Sequence, residues 1–340
     1  MTGAALAHGT EPRSRARGAR NWLRDNPIVP LIFLFGLLLV LLNLANPALP
    51  NQGWVANSLL RFAVPLAILA ACQTLTMLTG GIDLSVGAVA SMAGYVAATQ
   101  APIHGPWIAI ALALGAAALV GLVNGIGIGI FRVHPLIMTL SMILVVSGLA
   151  TVYFITVVAT GVRVPAEVVW LAQGTSFEVV PNNLLLFVPL AALIIIGLRR
   201  TGYGRLLYAI GDNEVAARLS GVRVWQVLIV LYVLSALMAG VAGLMFAGVL
   251  NTASTQQVNV YLLPSVAAAV IGGTSIFGGR GGYSGTIVGA LILGVLTTLL
   301  TLGMPALGLA GVNQEAVRQI LYGAIILGVA AAYTRLTESS

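Results

Sequence analysis

Ten stretches of this chain run for 16 to 27 residues with almost no charge. They lie at 28–45, 55–78, 84–99, 107–130, 136–158, 183–198, 224–250, 262–277, 283–303 and 316–333. A hydrocarbon layer about 30 Å thick is crossed by about 20 apolar residues in helix. Lipid supplies no hydrogen bonds to a backbone, so a chain built this way crosses as α-helices. The expectation is an all-α, polytopic bundle of about ten transmembrane helices. Composition agrees. Charged residues are 7% of 340 and apolar residues 59%, against roughly 25% charged in a soluble domain. The segments at 84–99, 183–198 and 262–277 are short, which leaves each open to being tilted, broken or re-entrant.

Arginine placement orients the bundle. All sixteen basic residues are arginine. With the N-terminus inside and ten alternating spans, the inner side holds Arg13, Arg15, Arg17, Arg20, Arg24, Arg132, Arg199, Arg200, Arg205, Arg218, Arg223, Arg280 and Arg335. The outer side holds Arg61, Arg163 and Arg318. That excess follows the positive-inside rule and puts both termini in the cytoplasm. Residues 1–27 then form a cytoplasmic tail and 28–335 the membrane domain, with its longest inner loop at 199–223. The basic tail before an apolar run resembles a signal peptide. No convincing small-residue cleavage site follows, so an uncleaved first helix is expected.

The same loop pattern gives the net charge of +7 a topological reading instead of a nucleic-acid one. Small residues recur every four positions at Gly121, Gly125 and Gly129, at Ser235, Ala239, Gly243 and Ala247, and at Gly285 and Gly289. Such stripes let helix backbones approach closely. Pro65 and Pro189 fall inside expected spans and remove a backbone donor there. Cys72 is the only cysteine, so no intrachain disulfide forms. His8, His104 and His134 are too scattered for a metal ligand set.

No enzyme chemistry is legible. The nine carboxylates are Glu11, Asp25, Asp83, Glu167, Glu178, Asp212, Glu214, Glu315 and Glu338. In this topology all fall in termini, loops or span edges, which counts against a proton relay through the bundle. Sodium coupling through backbone carbonyls stays open. A phosphate-binding P-loop needs a lysine, and the chain has none. Any ATP hydrolysis therefore belongs to another polypeptide.

Two segments stand out. In the first, Asp212 is a candidate N-cap for a helix of about seven residues. Glu214 and Arg218 are spaced to pair across one turn, and Gly221 suits a left-handed end. A helix this short needs something to pack on: the membrane surface, or a cytoplasmic partner that grips it as a lever. The second runs Thr79-Gly80-Gly81-Ile82-Asp83-Leu84-Ser85-Val86-Gly87. It reads either as a tight inner turn capped by Asp83 or as a hinge in a discontinuous helix beside a pathway.

The segment at 79–87 resembles the signature of the ribose, xylose and galactofuranose-type ABC permeases. Residues 204–221, Gly-Arg-Leu-Leu-Tyr-Ala-Ile-Gly-Asp-Asn-Glu-Val-Ala-Ala-Arg-Leu-Ser-Gly, resemble that family's cytoplasmic coupling loop. Residues 269–281, Ala-Val-Ile-Gly-Gly-Thr-Ser-Ile-Phe-Gly-Gly-Arg-Gly, resemble a third block. The likeness runs in order from about Val64 to Tyr333. Where the family often has Gly-Gly-Asn-Glu, this chain has Gly211-Asp212-Asn213-Glu214. The resemblance implies a permease subunit in a bacterial cytoplasmic membrane, importing a monosaccharide or similar solute. It implies a second permease copy, identical or paralogous, and a cytoplasmic ATPase with two nucleotide sites. It also implies a periplasmic or lipid-anchored solute-binding protein. No cofactor is expected on this chain, and ATP and Mg belong to the partner ATPase. Coupling would fall on Asp212, Asn213, Glu214, Ala216, Arg218, Leu219 and Gly221. Gly80, Gly81, Asp83 and Ser85 would form the hinge. A path for a neutral polyhydroxylated solute would be lined by hydroxyls and amides, for which Gln73, Thr74, Asn124, Thr139, Ser141 and Asn251 are the candidates. Related permeases carry nucleosides or branched-chain amino acids, and a sodium-coupled secondary carrier is the rival mechanism.

Overall fold

The computed structural model of the protein describes residues 28–157, 162–176, 180–306 and 312–338. The tail at 1–27 and Glu178 lie outside the described residues. Seven helices are long and apolar enough to cross a membrane. They are α1 (Ile28–Ala45), α2 (Gln52–Met77, with a π turn at Val55–Leu59), α4 (Pro106–Gly129), α5 (Pro135–Val157), α7 (Asn183–Arg200), α10 (Val224–Leu250) and α12 (Tyr283–Ala306). Between and after them come α3 (Val86–His104), α6 (Ala166–Gln173), α8 (Gly202–Asp212), α9 (Glu214–Leu219), α11 (Leu262–Ile271) and α13 (Gln314–Glu338). Among the described residues the only strands form a small antiparallel ladder, Thr175–Ser176 with Val180–Pro181. The protein is an all-α polytopic membrane protein.

α10 is the axis of the bundle, packed against α2, α3 and α4. The small-residue stripes are its seams. A Cβ added at Gly243 would sit 1.9 Å from Ala90 O, so α3 crosses α10 at backbone contact. Gly121, Gly125 and Gly129 ride on Tyr232, Ile229 and Trp225 in the same way, and Gly285 and Gly289 bring α12 against the end of α11. Close backbone approach maximises van der Waals contact where lipid gives no hydrophobic drive.

Arginine clustering defines two ends. At one, Arg132, Arg218 and Arg223 border the same cleft, and Arg199 and Arg280 border another. At the other, Arg61 Nη2 donates to Gln173 O (3.4 Å), Arg163 N donates to Ala98 O, and Arg318 faces Thr301.

Two stretches of non-helical backbone run inside the bundle. The first is the elbow at 78–85 between α2 and α3. Asp83 touches Ser235, which lies eleven residues into α10. At 1.5 Å per residue that is about 16 Å along a helix about 40 Å long. The second stretch, 251–258, leaves the far end of α10 and returns inward, and one 3-10 turn at Asn259–Tyr261 leads from it into α11. Val258 N donates to Ser91 Oγ at 2.9 Å, and a Cβ at Gly87 would lie 3.2 Å from Asn259 Cα. The two stretches therefore touch. α11, which follows, has ten residues and is about 15 Å long, half the hydrocarbon thickness.

These positions correct two expectations. Asp83 is 1% exposed and lies well inside the bundle, not at a span edge, because α3 starts deep instead of at the surface. It also does not cap α3 as an N-cap. Ser85 holds that position without a side-chain cap bond, and Asp83 instead turns back onto the Ser85 N–H.

Candidate functional site

The three glycine-rich blocks, far apart in sequence, meet at one point. Gly279 N donates to Leu78 O at 3.0 Å, tying the loop after α11 to the end of α2. Gly211 of α8 fits between them: an added Cβ there would lie 1.8 Å from Leu78 O and 2.5 Å from Gly279 N. Gly278, at φ +93, completes the junction, where a Cβ would meet Gly211 O at 2.8 Å and Gly80 N at 2.9 Å. Gly80 itself has φ +76, the left-handed region that glycine enters without steric penalty.

α8 forms because Thr201 caps it, accepting from Gly204 N at 3.1 Å, and because Gly204, Leu207 and Ile210 share its buried face. Two phenols bolt it down. Tyr203 Oη donates to Val227 O (3.1 Å) and Tyr208 Oη to Gly281 O (2.9 Å). Burial pushes the Tyr203 phenol well above its usual range. Burial also raises Tyr208, partly offset by Arg199. Both therefore remain donors at neutral pH.

α9 follows after the single residue Asn213 and turns outward. Asn213, not Asp212, is its N-cap: Asn213 Oδ1 accepts from Ala216 N at 2.9 Å, while Asp212 ends α8. The expected single helix is thus two, with the cap one residue later. Glu214 and Arg218 pair across one turn, and Gly221 ends the helix at φ +86. Only Ala217 of α9 is buried. Val215 and Leu219, one turn apart, are 68% and 84% exposed. The residues expected to couple, Asp212, Asn213, Glu214, Ala216, Arg218, Leu219 and Gly221, are all on this exposed tip.

The elbow is held from inside. Asp83 Oδ1 accepts from Ser85 N (3.0 Å) and Ser85 Oγ (2.6 Å), and Oδ2 from Ser235 Oγ (3.1 Å). Gln73 Nε2 donates to Asp83 O at 2.8 Å. Asn124 Nδ2 donates to Ser85 Oγ at 3.0 Å. Thr139 Oγ1 accepts from Leu84 N at 3.2 Å and lies 3.3 Å from Ile82 O. These side chains replace the helical bonds that the elbow forfeits, as non-helical backbone at membrane depth requires.

Of the six residues expected along a pathway, the fold gathers Gln73, Asn124 and Thr139 around Asp83. Thr74 faces away, 2.7 Å from Thr286 Oγ1 on α12. Ser141 is exposed on α5. Asn251 is exposed at the far end of α10 in a left-handed conformation. Sequence reasoning missed Tyr232 and gave Ser235 only a packing role, although both face the elbow from α10. It also missed Val215 and the tyrosine anchors of α8. Ser235 was visible as the one polar member of its stripe.

Comparison with known proteins finds relatives over most of the chain. The family described as branched-chain amino acid transport system / permease component matches residues 55–330. The ribose import permease protein of Escherichia coli strain K12 is 37% identical over 290 residues, covering 84% of this chain and 88% of that protein. The fructose import permease protein of Rhizobium meliloti is 33% identical over 292 residues (83% and 81%). The galactofuranose transporter permease protein of Escherichia coli strain K12 is 37% identical over 251 residues (73% and 72%). No solved structure matches. The chain belongs to this permease family, the one its three motif blocks resemble.

Proposed function

We propose that this family member is the membrane-spanning subunit of an ATP-driven, binding-protein-dependent importer, and that its solute is a monosaccharide or a similar small polyhydroxylated molecule. The observation that carries the proposal is the glycine junction. An exposed helical tip, α9, is joined through α8 to the point where the elbow and the loop after α11 meet. A partner that grips the tip thereby holds the elbow and the loop after α11.

In this reading the chain crosses a bacterial cytoplasmic membrane ten times. α3, α13 and the combination of 251–261 with α11 complete the seven longer spans. The arginine-rich end and both termini face the cytoplasm. Val215 and Leu219 seat in a groove of the ATPase, a helix-in-groove contact, flanked by Asp212, Asn213, Glu214, Ala216, Arg218 and Gly221. ATP and Mg bind that partner. Closure of its two nucleotide sites pulls α9. The rigid α8 carries the movement to Gly80 and Gly81, and the bundle alternates between inward- and outward-open states. A second permease copy completes the pathway, and a solute-binding protein outside delivers the solute. Gln73, Ser85, Asn124 and Thr139 hold the hinge and supply the polar groups beside it.

The family description names branched-chain amino acids, which favours an amino-acid solute as second reading. The relatives named for ribose, fructose and galactofuranose cover most of the chain and favour the sugar. A ligand screen on the cognate binding protein decides between them: tight binding of a pentose or hexose supports the proposal, and exclusive binding of leucine-type amino acids overturns its solute class.

A further inference from the structure

The Asp83 cluster leaves buried oxygens without partners, and its charge is unbalanced. Gln73 must direct Nε2 at Asp83 O, since two oxygens would repel there. Asn124 must direct Nδ2 at Ser85 Oγ, whose own proton goes to Asp83 Oδ1. Both amide orientations are thus set by their partners. The consequence is that Gln73 Oε1 and Asn124 Oδ1 are buried without a donor, and Tyr232 Oη is buried with no hydrogen-bond partner. Gln73, Asn124, Ser235 and Tyr232 are each 0–1% exposed. Among the described residues the ion pairs engage Glu214 and Glu315, not Asp83. A carboxylate buried without a partner charge is strongly disfavoured.

We propose that the Asp83 cluster binds a sodium ion between the elbow and α10. The carboxylate would balance its charge, with oxygens of Gln73, Asn124, Ser85, Ser235 and Tyr232 available to complete its shell. Hard oxygen ligands suit such an ion, and unwound backbone inside a helix bundle is a recurrent place for one. A single carboxylate matches a monovalent charge. No set of three His, Cys, Asp or Glu groups gathers among the described residues to hold a divalent or transition metal. The packing is tight: a Cβ at Gly81 would lie 2.8 Å from Tyr232 Oη. The ion is structural, fixing the elbow against α10, and its role does not depend on which solute is carried.

The test uses the full chain in detergent, dialysed into N-methylglucamine chloride and then titrated with sodium, potassium or more N-methylglucamine at matched ionic strength. Sodium should raise the melting temperature by several degrees and saturate, because a ligand bound only by the folded state stabilises it by mass action. Potassium should do less. Radioactive sodium should remain on the protein at about one ion per chain, as expected for a single site. Asp83→Asn should abolish both effects. Asn124→Ala, which removes one oxygen, should weaken sodium binding by about tenfold. If Asp83→Asn does not accumulate, sodium retention by the wild-type chain decides alone. Equal melting in the three salts, no retained sodium, or an undiminished sodium effect in Asp83→Asn overturns the proposal. So does stability that tracks pH while ignoring sodium, which would assign the balancing charge to a proton.

Discussion

Gly211→Ala probes the junction with a single methyl group. The new Cβ would lie 1.8 Å from Leu78 O and 2.5 Å from Gly279 N, and both are backbone atoms that no rotamer change can clear. Ordinary contact begins near 3.4 Å, so α8 and the end of α2 must separate by more than an ångström. That movement breaks the 3.0 Å bond from Gly279 N to Leu78 O. Overpacking of this kind costs about 1–3 kcal/mol, and unpaired backbone groups add about 1–3 kcal/mol. A stability of about 5–15 kcal/mol is reduced but not exhausted, so the variant should insert and melt several degrees early. Its larger effect should be on coupling. Losing an interaction of 1–3 kcal/mol between two sites weakens their linkage by about 5- to 150-fold. Binding-protein stimulation of the partner ATPase should accordingly fall by about tenfold. Gly197→Ala is the control: nothing lies within 4 Å of its added Cβ, and alanine in a helix is favoured over glycine by about 0.5–1 kcal/mol. Wild-type melting and wild-type stimulation in Gly211→Ala would refute the junction's role.

Ala217→Pro removes the N–H that donates to Asn213 O and should abolish copurification with the ATPase while leaving membrane insertion intact. Glu214→Pro should be milder, because Glu214 is the first residue of α9, where proline is tolerated. Gly80→Ala forces a side chain to φ +76 and should lower stability by about 1–2 kcal/mol, read as the melting temperature of the purified chain. A double-mutant cycle on Thr74→Val and Thr286→Val should give a coupling near 0.6 kcal/mol, the usual size for a buried bond between membrane helices. Zero coupling would mean that α2 and α12 do not meet there.

The all-α membrane bundle was legible from hydrophobic length, because bilayer thickness acts on every span alike. The stripes at Gly121 and Gly243 were legible as seams. The depth of Asp83 was not. Counting apolar residues places the start of a short helix at the surface, and only contact with Ser235, 152 positions away, reveals that α3 begins inside. α8 was hidden by its three glycines, which lower helix propensity. Tertiary packing of Leu207 and Ile210 and the Thr201 cap overrule that preference. Asp212 and Asn213 are both good caps, and the extent of α8 selects the second. The junction itself joins residues near 78, 211 and 279, a proximity no local pattern encodes.

The central claim is that transport through this chain is driven from outside it, by way of the α9 tip. The most direct measurement is radiolabelled solute uptake into liposomes containing the chain alone, with its ATPase, and with ATPase and binding protein together. Uptake only in the complete system with ATP, and its loss in Ala217→Pro, is the expected result. Uptake by the chain alone on a sodium gradient, without ATP, would contradict it.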